Sequence, residues 1–450
     1  MMTVAKRAIW WRRNCRPPAV TAALLWGLAC LGAAIPASRS AAAEAGAMTD
    51  YKHLGVASCS SSVCHGKISA QTGRHVALNE YTVWTQDDRH SQGYNRLKSP
   101  AAVQIAAKLG LPNAVGAKIC LDCHTDNVTR TLQGPKYKIT DGIGCEACHG
   151  GSEKWIESHA QPSTGHKANV AKGMYPSDQP LQRATLCLSC HLGTRDKFAT
   201  HVIMGAGHPR LSFELDAYTL NQPAHYIVDA DYIERKGRTN DMNFWVTGQI
   251  EAAERELTLL QTAVFTPGGL VPELSFYECF SCHHAMDNMR WSRNRAGPGV
   301  NPGTLRLQKQ NLVTLQALTE VINPAGVADL VALTQALVRA GQTDVPSARA
   351  ASQKLLERLR GIETWSRRAY SPAEIGAVRK TLVRYAAEDK AGDFTTAEQV
   401  VLGVESLSYA LNDHDRRKAS LDALFDKVKS GVNFSPGQFA DAARRVQTQF

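Results

Sequence analysis

The sequence predicts a mainly α-helical protein: short helices and loops over residues 44–300, then an α-helical bundle over 301–450. Three observations predict it. Every cysteine, and every histidine but His414, lies before residue 304. The same stretch is broken repeatedly by Gly and Pro, as at Gly134-Pro135, Gly150-Gly151 and Gly268-Gly269. Beyond AGPGVNPG, residues 296–303, the composition changes to apolar stripes with clear helix starts.

The first segment, 1–43, is set apart. Lys6, Arg7, Arg12, Arg13 and Arg16 are followed by an apolar run from Pro18 to Ala34 and the small residues Ser40-Ala41-Ala42-Ala43. This pattern reads as a signal peptide for export to the periplasm, and the run is short for a membrane-spanning helix. Cleavage after Ala43 would remove six basic residues and no acid, leaving 45 Lys and Arg against 41 Asp and Glu. The remaining basic residues are dispersed and form no stripe, so no nucleic-acid partner is expected.

Of twelve cysteines, Cys15 and Cys30 fall in this leader. The other ten form five close pairs, each followed at once by a histidine. Four read C-x-x-C-H: Cys120/Cys123/His124, Cys145/Cys148/His149, Cys187/Cys190/His191 and Cys279/Cys282/His283. The fifth, CSSSVCH, is Cys59/Cys64/His65, with two extra residues between the thiols. C-x-x-C-H is the attachment signature of c-type haem. Thiols one helical turn apart reach the two vinyl groups on one porphyrin edge, and the next residue offers its imidazole to the iron. A zinc ribbon would leave the five histidines unexplained, and a disulfide framework would not repeat Cys, Cys, His in this order. Thioredoxin-like redox motifs do not repeat this way either. Five covalent haem c groups, bound through iron to His65, His124, His149, His191 and His283, are the expectation.

A second imidazole closes the iron's other face readily. The spare histidines favoured for it are His90 in YTVWTQDDRH, His159 in KWIESH, His201 and His208 in THVIMGAGHPRLSFEL, and His225 in NQPAHY. Gly205, Gly207 and Pro209 argue against one continuous helix through His201 and His208, so the two can serve different haems. His53, His75 and His166 are weaker candidates. His284, directly after a proximal ligand, is expected to point away from that iron, and His414 is expected to be solvated. Met174, Met204, Met242 and Met286 are in range, but with so many spare histidines mostly His/His ligation is expected.

A haem-rich region with so many breaks is expected to bury little side-chain core, the haems supplying the apolar mass. Its one longer helix is read over 244–263, FWVTGQIEAAERELTLLQTA. In the C-terminal part, Leu312, Leu315, Leu318 and Ile322 form a stripe. Helix starts are read at Ser371-Pro372-Ala373-Glu374, Thr395-Thr396-Ala397-Glu398 and Ser435-Pro436-Gly437-Gln438.

The haem region resembles the cytochrome c-554/c-prime family. The resemblance rests on GVASCSSSVCHG, NEYTVWTQDDRH, GIGCEACHGGSEKWIESH, HVIMGAGHPRLSFEL and YECFSCHH, together covering residues 55–285. It implies periplasmic electron transfer through closely packed haems, with His90, His159, His201 and His208 as distal ligands. The best-known members carry four haems, whereas five motifs stand here, and the C-terminal helices lie outside the resemblance. Five haems with C-terminal helices are also similar to the nitrite reductase and hydroxylamine oxidoreductase group, but its C-x-x-C-K signature is absent.

Three functions fit. The leading one is an electron carrier between redox partner proteins, with no catalytic residue assigned. The alternative is an oxidoreductase acting on a small nitrogen or sulfur compound at one open haem, with Lys136, Tyr137, Lys138 and Arg210 as groups to stabilise charge; otherwise Arg210 pairs with a haem propionate. The third is a haem sensor or a docking subunit of a membrane-associated respiratory complex.

Overall fold

The computed structural model describes residues 51–71, 76–161, 163–237, 241–268, 271–283, 303–429 and 431–450. The leader 1–43, His75, His284, Met286 and all of AGPGVNPG except Gly303 lie outside them. The described chain is mainly helical, and its only β pairings are isolated bridges, His53 with Gln133 and Tyr277 with Leu307.

Two compact units form, and neither is continuous in sequence. The first comprises residues up to Gln92, Val128–Pro176 and Leu220–Gly237; the second comprises Gly93–Asn127, Ser177–Thr219 and Arg238–Phe450.

The first unit is built of short elements. Its helices include Glu80–Asp87, Cys145–His149, Ile156–His159, His166–Ala171 and Ala230–Lys236, interspersed with 3-10 turns such as Val56–Ser58, Ile139–Asp141 and Ser152–Lys154. None is long enough to stand without tertiary support. Its few buried apolar side chains include Val56, Trp155, Tyr175 and Tyr232.

The second unit contains the long helices. Asp241–Leu259 packs against Pro180–His191 on one side and against Gln310–Ile322, Val345–Arg360 and Phe394–Ala410 on others. Met242, Trp245 and Val246 on this helix are fully buried in one core with Leu315, Leu318, Leu382 and Val404. The expectation that the haem-rich stretch buries little core therefore fails at this helix, which is as much a core element as its C-terminal partners. It also begins and ends a few residues earlier than the apolar spacing indicates.

The C-terminal stripe is as read: Leu312, Leu315 and Leu318 are buried and Ile322 is half-buried. Ser371 caps Pro372–Ala387 with a reciprocal capping box to Glu374. Ser435 precedes Pro436 at the first turn of Pro436–Val446, without a side-chain cap bond. The Thr395 start is wrong by two residues. Asp393 caps Phe394–Ala410, accepting from the Thr396 backbone N–H at 2.8 Å and its hydroxyl at 2.6 Å. A carboxylate serving two donors outcompetes a threonine hydroxyl here. His414 is also corrected: it is buried at 8% exposure and stacked 3.9 Å from the Tyr409 ring, because it begins a helix folded back on Phe394–Ala410.

Candidate haem sites

In the helix Lys118–His124 one turn carries Cys120, Cys123 and His124. Cys145–His149 is itself one motif, and its thiols, Cys145 and Cys148, are both half-buried. The third standard motif ends the twelve-residue helix Pro180–His191. The fourth departs from the helical turn expected between its thiols. The 3-10 turn Cys279–Ser281 stops just short of Cys282, whose N–H donates to the Cys279 carbonyl at 3.2 Å. A turn closed over three residues winds more tightly than an α-helix, and Cys279 and Cys282 are both exposed on it. Among the described residues, none of the ten motif thiols is joined in a disulfide.

In that last motif the His283 N–H also donates to the Cys279 carbonyl, at 2.7 Å. CSSSVCH makes the same bond, His65 N–H to Cys59 carbonyl at 3.2 Å, across its two extra residues. The surplus is taken up as a local turn, with Cys64 and Gly66 both donating to Ser61. The wider spacing thus leaves the first cysteine and the histidine in the relation that the standard motif gives them.

Four of the motif histidines face a second imidazole. His65 and His159 have ring centres 6.1 Å apart with planes at 10°. His149 and His225 stand at 6.3 Å and 88°. In the second unit, His124 and His208 stand at 6.3 Å and 86°, and His201 and His283 at 6.1 Å and 35°. A ring nitrogen binds a metal at about 2 Å, with the ring centre about 1 Å further, so imidazoles on opposite sides of one ion stand about 6 Å apart. All four pairs have that spacing. His201 and His208 meet different partners because Gly207, at φ 121°, turns the chain between them.

The Nδ1 atoms are held as well. His159 donates to the Ile156 carbonyl, His208 to the Pro209 carbonyl at 2.7 Å and His124 to the Gly93 carbonyl at 3.3 Å. His65 Nδ1 pairs with Glu80 at 2.9 Å and His90 Nδ1 with Asp88 at 2.8 Å. Burial alone would raise the Asp88 carboxyl, but hydrogen bonds from His90 and Gln222 outweigh it and hold the group at about 2. An imidazole whose Nδ1–H is engaged offers its Nε2 lone pair to a metal with the ring plane fixed. Glu80 and Asp88 were not singled out from sequence, although an acid two residues before a histidine is a readable signal.

His191 is oriented by aromatic rings. Phe213 stacks on it at 4.8 Å and Tyr218 meets it edge-on at 5.7 Å. A largely apolar cavity here is lined by Leu188, His191, Met204, Phe213, Phe276 and Cys279, so it borders two of the motifs.

The thiols bring motifs together. Cys59 and Cys145 lie close enough to shift each other's acidity, as do Cys123 and Cys190. In the unmodified chain the nearby Cys59 thiol and burial push the Cys145 thiol up, and the neighbouring Cys148 adds to the rise. The Cys123–Cys190 contact raises Cys123 and lowers Cys190, which also receives the Lys197 ammonium at 3.2 Å.

His53 is buried beside Gln133, Met242 is fully buried in the main core, and His166 begins a helix. Arg210 pairs with Glu398 at 2.6 Å, lies over the Phe394 ring and lines the cavity beside His191 and Cys279. Lys136 and Tyr137 lie in a loop whose backbone bonds to Leu54 and Gly134.

The donor sets fit haem c: paired thiols, an adjoining imidazole and, at four motifs, an opposed one. Residues 58–150 match the family described as cytochrome c554 and c-prime. Cytochrome c-554 of Nitrosomonas europaea is 26% identical over 118 residues, 24% of this chain. The chain spans 50% of that curated relative's length. No solved structure matches. Over residues 58–150 the chain is similar to the cytochrome c554 family of c-type cytochromes. Among the described residues, no helix is long and apolar enough to cross a membrane.

Proposed function

We propose that this protein is a periplasmic multihaem cytochrome that passes electrons between redox partner proteins through five haem c groups. The observation that carries the reading is the set of four opposed imidazole pairs, 6.1–6.3 Å apart. When bound, haem supplies an iron that exchanges one electron between its ferric and ferrous states. Cys59 with Cys64, Cys120 with Cys123, Cys145 with Cys148, Cys187 with Cys190 and Cys279 with Cys282 hold the five groups. His65, His124, His149, His191 and His283 are the proximal ligands. His159, His208, His225 and His201 are the ligands opposite His65, His124, His149 and His283. His90, with Nδ1 tied to Asp88, keeps its Nε2 available to a metal.

At these four sites two imidazoles would fill both axial positions and leave a small substrate no place to bind, which favours a carrier over an enzyme there. Rigid rings also keep the same ligands in both oxidation states, so little rearrangement accompanies the electron. The thiol contacts Cys59–Cys145 and Cys123–Cys190 support close neighbours within each unit, which suits stepwise transfer. The basic, apolar and small-residue order of residues 6–43 supports export.

The test is to reduce the purified protein and offer nitrite, hydroxylamine, nitric oxide and tetrathionate in turn. Each is expected to reoxidise it no faster than it reoxidises a cytochrome whose irons are all six-coordinate. Sustained catalytic reoxidation by any of them would overturn the carrier reading.

A further inference from the structure

Glu146 lies inside the motif Cys145–His149, yet its carboxylate serves other parts of the first unit. It is 3% exposed. Its Oε1 accepts from the Leu54 N–H at 2.8 Å, the Ser152 N–H at 2.8 Å and the Ser152 hydroxyl at 2.5 Å. Its Oε2 accepts from the Gly55 N–H at 2.7 Å. Leu54 and Gly55 lead directly into the turn Val56–Ser58 and Cys59. Ser152 opens the turn Ser152–Lys154, which leads through Trp155 into Ile156–His159. One side chain therefore ties the segment entering the His65 motif to the segment that delivers His159.

The surrounding backbone leaves little slack. A Cβ on Gly55 would stand 2.2 Å from the Lys136 carbonyl oxygen, and one on Gly151 would stand 2.2 Å from that of Tyr51. Trp155 meets the His159 ring edge-on at 5.3 Å, so a displacement at Ser152 reaches the imidazole within one turn. The four donors need a group that accepts at both oxygens. A carboxylate does so; a carboxamide accepts at one and turns an N–H against the remaining donor.

We infer that Glu146 is a positioning residue for the His65/His159 site, clasping the two segments that hold these imidazoles opposite each other. The inference rests on the ligand assignment proposed above and extends it to an outer-shell group carried by a different motif.

The experiment is electron paramagnetic resonance on the oxidised, haem-loaded full chain, comparing wild type with His159→Ala, Glu146→Gln and Glu146→Ala. His159→Ala tests the assignment by itself: unless one haem-equivalent of rhombic low-spin signal is lost and replaced by high spin, the assignment fails whatever Glu146 does. With that control passed, Glu146→Ala is expected to convert one haem-equivalent, the one at His65, to high spin. Glu146→Gln should convert a smaller fraction. The His149/His225 signal should stay, although Glu146 sits in that haem's own motif. A purely local structural role predicts the reverse, so loss of the His149/His225 signal, equal loss of both, or a wild-type spectrum would overturn the proposal. If a variant loads incompletely, peptide mass decides the matter. Haem missing at Cys59 and Cys64 but present at Cys145 and Cys148 supports the clasp, and any other pattern overturns it.

Discussion

The planes of His65 and His159 lie 10° from parallel, whereas those of His149 and His225 lie 88° apart. Parallel imidazoles overlap the same iron π orbital and split it from its partner; perpendicular ones leave the two nearly degenerate. The oxidised protein should therefore show two kinds of low-spin resonance. Ordinary rhombic signals are expected from the His65/His159 haem and from the His201/His283 haem, whose planes stand at 35°. Strongly anisotropic signals are expected from the His149/His225 and His124/His208 haems. A spectrum holding only rhombic low-spin signals would contradict the two perpendicular pairs.

Replacing His208 with Ala removes the ring opposite His124 and leaves the other three pairs in place. One haem-equivalent should become high-spin, and added imidazole should restore the low-spin spectrum. An unchanged spectrum would show that His208 binds no iron.

Truncation at Gly303 should destabilise what remains. Met242 and Trp245 are fully buried in a core they share with Leu315, Leu382 and Val404. Each such side chain exposed costs roughly 1.5–3 kcal/mol, so uncovering the Asp241–Leu259 helix removes stability on the scale of a whole domain's margin. The fragment should melt well below the full chain or aggregate. A melting temperature equal to that of the full chain would show that the C-terminal helices are dispensable to it.

Glu214 sets a pH dependence. Burial lifts its carboxyl from the ordinary carboxylate range to about 7, against hydrogen bonds from the Ala217 and Asp216 backbone and the Ser406 hydroxyl. A carboxyl raised in the folded state binds its proton more tightly there than in the unfolded chain. Its contribution is complete below the ordinary carboxylate range and is lost as pH rises through about 7. Glu214→Gln should therefore gain stability relative to wild type as pH rises from acid to alkaline, by a few kcal/mol at most, on top of a pH-independent loss where its N–H meets a backbone donor. Thermal melts at acid and alkaline pH check this; a difference independent of pH would contradict it.

What could be read from the sequence divides along physical lines. The motifs were legible because thiol and imidazole spacing is local chemistry, and so was the Ser371 cap. The break between His201 and His208 was legible from Gly207. The tighter turn before Cys282 was not, because C-x-x-C spacing is the same whether the turn is α or 3-10. Which imidazole faces which was hidden too, because His225 lies 76 residues beyond His149 and only tertiary folding brings them together. His414 was misjudged because polar neighbours describe its own helix and not the Tyr409 face folded over it. The Asp241–Leu259 helix was found, but its place in the main core depends on partners more than fifty residues away. Glu146 gave no sign of its role, since all four of its donors come from outside its motif.

The central claim is that five Cys-Cys-His sites each hold a haem, including CSSSVCH. The most direct measurement is the intact mass of the denatured protein after export in a host that matures c-type cytochromes. The account predicts the mature chain plus five haem masses, with Cys59→Ala/Cys64→Ala carrying four. A wild-type mass with four haems or fewer would contradict it, and an unchanged count in the double variant would remove CSSSVCH from the set.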